Sequence, residues 1–138
     1  GSKEDLMAEA CTRAVERSRD LWRKRAAAHP EDPLGELARL YLTPRHRDNP
    51  AQGCVMASLA ADASRQGPAV RGAITGGLRT AFDFLAGLMP ARDAEAKRRK
   101  AIHAYASWVG AMVLARATDD EALSREILEA VAKESTAR

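Results

Sequence analysis

From Ala104 to Ala115 the chain carries no charged residue. Drawn as a helix, this run is apolar or small on every side, and a helix that is apolar all round must be buried all round. A chain of 138 residues has few elements with which to surround one helix. Two arrangements satisfy the requirement. The helix stands at the centre of a bundle, or one side meets the chain's own core and the other meets a second copy of the chain. We take the second as the expectation.

The rest of the chain reads as helices separated by proline and glycine, six in all. The first opens at Ser2, a good N-cap, with Glu4 and Asp5 where the helix dipole favours acidic groups. It closes on Arg23, Lys24 and Arg25, before the His29–Pro33 turn. A short second helix runs from Leu34 to about Leu42. Arg45 to Asn49 reads as a polar loop. Asn49 and Pro50 then suggest the start of a third helix, with Gln52 as a capping-box partner. Its inward face carries Met56, Leu59, Ala60 and Ala63. The fourth spans Pro68 to about Met89, weakened by Gly72, Gly76 and Gly77 at roughly 1 kcal/mol each. Asp93 caps the fifth helix, and Thr118 with Glu121 forms a capping box for the sixth. No segment alternates well enough to be a strand, so the fold class is all-α.

Composition narrows the function by exclusion. Apolar residues make up 46% and charged residues 30%, which suits one folded domain over residues 1–138. The net charge of +3 reads as arginines on solvated helix faces rather than a nucleic-acid surface. The Arg23–Arg25 and Lys97–Lys100 clusters lack interleaved aromatics. No run approaches the ~18 apolar residues of a membrane span, and no signal-peptide pattern is present. Cys11 and Cys54 have no metal or CxxC spacing and read as reduced core cysteines of a cytoplasmic protein. His29, His46 and His103 are scattered, and His46 and Asp48 share what reads as a surface loop. There is no Glu-x-x-His pair, zinc-protease motif, phosphate loop or nucleophile elbow. No cofactor, metal or catalytic constellation is expected, and the chain does not read as an enzyme.

Residues 1–7, Gly-Ser-Lys-Glu-Asp-Leu-Met, precede a long amphipathic helix and resemble the F-x-S-K-x-x-L signature of TetR-family repressors. In that family the signature marks the passage from the DNA-binding helix-turn-helix domain to the regulatory domain. Residues 41–50 (YLTPRHRDNP), Gly53-Cys54, 58–62 (SLAAD) and 109–116 (VGAMVLAR) resemble one TetR/AcrR branch. So does the pattern Asp119-Asp120-x-x-Leu123-Ser124-x-x-Ile127-Leu128. The resemblance runs over nearly the whole chain, in order and spacing, and the DNA-binding domain is the part missing from it. It implies a regulatory domain of a bacterial repressor whose six helices sense a small molecule and hold a homodimer, reaching DNA only through the missing N-terminal domain. In the family, ligand binding moves the first helix, here residues 1–28, and so changes the spacing of two DNA-reading heads. Those heads must match half-sites roughly 34 Å apart. The alternatives are a helical adaptor or dimerisation module without a ligand, and a small helical enzyme.

Two sets of residues carry these expectations. A mostly apolar pocket is expected between the first five helices. Its walls would include Trp22, Tyr41, Met56, Leu59 and Leu78, with Phe82, Tyr105, Trp108 and Met112 completing them. Trp, Tyr and Met give adaptable apolar walls with a few polar tips, so the ligand would be hydrophobic, aromatic or amphipathic. The last two helices, residues 94–134, are expected to pair with their copies as a four-helix bundle about a two-fold axis. On the fifth helix the interface would use His103, Ser107, Gly110 and Leu114. On the sixth it would use Leu123, Ile127, Ala130 and Val131.

Overall fold

The computed structural model describes residues 2–136, so Gly1 of the N-terminal signature lies outside the described residues. These residues form seven α-helices and one 3-10 turn, with no strand among them. The helices are α1 (Lys3–Ala28), α2 (Pro33–Tyr41), α3 (Pro44–Asp48), α4 (Val55–Ala63), α5 (Pro68–Ala86), α6 (Ala94–Ala117) and α7 (Glu121–Thr136). None is long and apolar enough to cross a membrane.

Local chemistry sets most of the boundaries. Ser2 Oγ accepts from Asp5 N–H (3.0 Å) and Asp5 Oδ2 accepts from Ser2 N–H (3.3 Å), a complete capping box. Asp32, Thr43 and Asp93 cap α2, α3 and α6 in the same sense. Proline takes the first helical position of α2, α3 and α5, where its missing N–H costs nothing.

Three boundaries differ from the sequence reading. Residues 44–48, read as a loop, form the one-turn helix α3. The third helix expected from Asn49-Pro50 begins at Val55, and Pro50–Gln52 is a single 3-10 turn. Asn49 does not cap; its Nδ2 donates back to Arg45 O (2.7 Å). The cause is His46. Its ring occupies the space where a Cβ on residue 53 would stand, so only glycine lets the chain pass at Gly53. His46 Nε2 then accepts the Cys54 N–H (3.0 Å), and α4 starts beyond that anchor. At α7 the cap is Asp120, which accepts from Leu123 N–H (3.1 Å), and not Thr118. The Glu121 carboxylate is drawn to Arg125 (2.7 Å) and Arg47 (3.1 Å), not to the backbone N–H that a capping box requires.

One contiguous core joins every α-helix except the one-turn α3. Helix α6 buries Ala101, Tyr105, Trp108, Ala111, Met112 and Ala115, while α1 packs chiefly on α5. A Cβ at Gly77 would stand 2.6 Å from Met56 Cε and 2.7 Å from Val15 Cγ2, so glycine brings α5 close to α1 and α4. Gly72 and Gly76 meet nothing and thin no contact. The opposite side of α6 stays open: Ile102, Val113 and Leu114 are exposed, the last at 58%. Helix α7 continues this face through Leu123, also exposed.

Candidate functional site

All six aromatic residues of the chain form one connected cluster. Trp22 meets Tyr105 edge-on at 5.7 Å and Trp108 at 6.1 Å between ring centroids. Tyr41 lies 6.3 Å from Tyr105 and 5.9 Å from Trp108, Phe84 lies against Trp22, and Phe82 against Tyr105. Such pairs contribute roughly 0.5–1.5 kcal/mol each beyond their buried area. The cluster joins α1, α2, α5 and α6, and above it opens a cavity of about 760 Å³. That size falls within the roughly 300–1,000 Å³ of small-molecule sites.

The buried end of the cavity is aromatic and sulfur-bearing: Trp22, Tyr41, Cys54, Met56 and Tyr105 are each at most 8% exposed. The Cys54 thiol and the Tyr105 hydroxyl share a hydrogen bond of 3.0 Å. Tyr41 Oη is buried beside the Cys54 thiol and makes no hydrogen bond of good geometry among the described residues. Burial, with Cys54 and Tyr105 close by, raises the Tyr41 phenol well above the usual tyrosine value, so it stays protonated. The outer end is polar. Arg19, Arg25, Arg39 and Arg45 line it, with Glu36 the single carboxylate among the lining residues. The lining is therefore apolar at its floor and cationic toward its mouth, a more polar wall than the sequence suggests.

His46 braces this site. Its Nδ1–H donates to Tyr41 O (2.7 Å), its Nε2 accepts from Cys54 N–H, and its ring stands edge-on to Tyr41 at 4.6 Å. Arg116 donates to His46 O and Arg47 O, both at 3.0 Å, fixing α3 to α6. Arg47 in turn donates to Ser124 Oγ (2.9 Å) on α7. Only neutral His46, protonated on Nδ1, satisfies both of its partners. Burial lowers its pKa below 6.5, Arg116 adds to that, and the Tyr41 carbonyl opposes it.

A depressed basic pKa means that the unfolded chain binds the proton first. The stability held by His46 is complete above pH 6.5 and is lost as pH falls from there toward the folded-state pKa. Denaturant midpoints measured from pH 7.5 to pH 5 test this. Relative to His46→Gln, the wild type is expected to lose at most about 1.4 kcal/mol per pH unit below that point. Parallel profiles for the two proteins would remove His46 as the cause.

Of the expected pocket residues, Trp22, Tyr41, Met56 and Tyr105 line the cavity. Trp108 and Met112 are 0% exposed and lie in the core, off the lining. Phe82 packs on Tyr105 under the Arg98 guanidinium (5.4 Å), and Leu78 is half-buried against the core. Leu59 is 36% exposed, off the inner line that Met56 and Ala63 mark on α4. The arginines were not legible as cavity residues, because a basic residue on a helix reads as solvated until a neighbouring helix meets it. On the α6–α7 face, His103, Leu114, Leu123 and Ala130 are exposed, while Ser107, Gly110, Ile127 and Val131 are partly covered. A Cβ at Gly110 would meet nothing, so the backbone there is open to close approach.

Cys11 and Cys54 are both free and buried. Among the described residues no group of three or more His, Cys, Asp or Glu is placed to hold a metal ion. The chain matches no protein-family model, no curated protein and no solved structure.

Proposed function

We propose that this chain is the effector-sensing and homodimerisation domain of a TetR-like transcriptional repressor, a bacterial cytoplasmic regulator. DNA contact would be supplied by a helix-turn-helix domain preceding residue 1. The observation that carries the reading is that α1 forms a wall of the cavity, through Val15, Ser18, Arg19, Leu21, Trp22 and Arg25. A helix of 26 residues is about 39 Å long, so a small tilt beside the cavity becomes a displacement of several ångströms at its N-terminal end. A ligand that fits one tilt better than the other shifts the population toward it, and only that difference in affinity moves α1. The apolar α6–α7 face supports the second half of the proposal. It would pair with its copy in a four-helix bundle, which gives the charge-free side of α6 its missing neighbours.

Native mass spectrometry of protein purified from cells tests both halves. The expected species has twice the 14.9 kDa chain mass and takes up a small hydrophobic or aromatic molecule, retained or added. A dimer that binds no compound from a broad panel favours a helical adaptor and overturns the sensor. A folded monomer at tens of micromolar overturns the dimer.

A further inference from the structure

The cavity carries more chemical information than its volume. Two polar atoms on residues of its lining are buried and make no hydrogen bond of good geometry among the described residues, although each has a polar neighbour. Tyr41 Oη belongs to a side chain only 3% exposed, and its neighbour Cys54 is already bonded to Tyr105. Arg19 Nε makes no hydrogen bond, and its ion pair with the exposed Asp20 is long at 3.6 Å. A buried N–H or O–H left unpaired costs roughly 1–3 kcal/mol, and more when the group is charged. Both groups are donors, and each becomes available to a ligand oxygen once its side chain turns toward the cavity.

The charge balance has the same sign. Glu36, the only carboxylate on the lining, is already committed. Arg25 reaches it at 3.3 Å, His29 at 3.5 Å and Arg39 at 3.6 Å. It has little left for a cationic ligand. Arg45, on the lining from α3, makes no ion pair among the described residues. Arg45, and Arg19 with only its long ion pair to the exposed Asp20, are therefore the cations left to receive a charge, above a floor of Trp22, Met56 and Tyr105. Arginine presents planar N–H donors that match a carboxylate, and such charge-assisted bonds are about twice as strong as neutral ones.

We propose that the ligand of this cavity is an amphipathic organic anion, a carboxylate or similar oxyanion on an aromatic or aliphatic body. Its anionic head is held by Arg19, assisted by Arg45. Its body lies over Trp22 and Met56, and an oxygen accepts from Tyr41 Oη. This rests on the sensor reading but narrows it, because a neutral hydrophobic ligand leaves Arg45 on the lining without a counter-charge.

The test uses matched pairs: naphthalene-2-carboxylate, biphenyl-4-carboxylate and dodecanoate, each against its primary amide. Affinities are read by tryptophan fluorescence and by calorimetry at pH 7.5. At least one acid is expected to bind ten-fold or more tightly than its amide. Arg19→Gln is expected to bring the pair within about two-fold by weakening the acid more than the amide. Tyr41→Phe is expected to weaken the acid several-fold at an unchanged melting temperature. Equal affinity of acid and amide overturns the anionic head and leaves the sensor standing. Binding of none of the six overturns the anion, and the wider panel above then decides the sensor separately. An acid preference that survives both Arg19→Gln and Arg45→Gln overturns the assignment to these arginines.

Discussion

If the proposed α6–α7 dimer forms, Leu114→Asp is expected to leave a monomer, with the melting of each chain nearly unchanged. Leu114 is 58% exposed within its own chain, so the fold does not depend on it. It lies in the charge-free stretch of α6 with the exposed Val113, and Leu123 on α7 is exposed as well. In an isologous dimer every substitution acts twice. Removing one buried leucine costs roughly 1.5–3 kcal/mol, and the carboxylate that replaces it is desolvated without a partner. The dissociation constant should weaken by at least about 100-fold, which corresponds to some 3 kcal/mol. Light scattering on a sizing column, with circular-dichroism melts of the same samples, measures both quantities. Ile127→Asp is a poorer probe, because Ile127 packs partly on its own core and its loss mixes unfolding with dissociation. An undisturbed dimer of Leu114→Asp would place the interface elsewhere.

Trp108→Ala is expected to have the opposite signature, a large loss of stability that dimerisation cannot repair. Trp108 is 0% exposed, edge-on to Trp22 and tilted against Tyr41, and its Nε1–H donates to Ser135 Oγ (2.9 Å) near the end of α7. Ser135 passes the bond on to Val131 O (2.8 Å). Truncating a buried tryptophan costs about 3–5 kcal/mol, because the void is only partly refilled. A domain of this size is held by roughly 5–15 kcal/mol in all, so the melting temperature should fall by more than about 10 °C. Trp108→Phe keeps a ring at the centre of the cluster and should cost less than half as much. A loss below about 1 kcal/mol for the alanine variant would show that α6 is not the centre of the core.

The two substitutions lie six residues apart on one helix that carries no charge between Ala104 and Ala115, and hydropathy alone does not separate them. That contrast marks where sequence reading ends. Much of what is governed by interactions within about four residues was legible: the all-α class, the Ser2 and Asp93 caps, and the proline opening α5; the equally local Asp32-Pro33 and Thr43-Pro44 starts of α2 and α3 were read as a turn and a helix stop. Capping and helix propensity are local energies, and a helix that is apolar all round announces that it needs neighbours. Other exceptions arose where a distant group outbid a local one. His46 holds the Cys54 N–H and delays α4, and Arg47 draws Glu121 away from a capping box, leaving Asp120 to cap α7. The cavity belongs to the same class. Trp22 and Trp108 are equally apolar in sequence, yet one lines a space and the other fills one. Arg19 and Arg45 read as ordinary surface residues in the sequence, and only the fold sets both on the lining of one cavity. Which side chain faces a gap depends on how helices far apart in sequence cross and how closely they approach. Gly77, which lets α5 close on Met56 and Val15, shows that this distance is set by packing between helices and not by the preferences of any one of them.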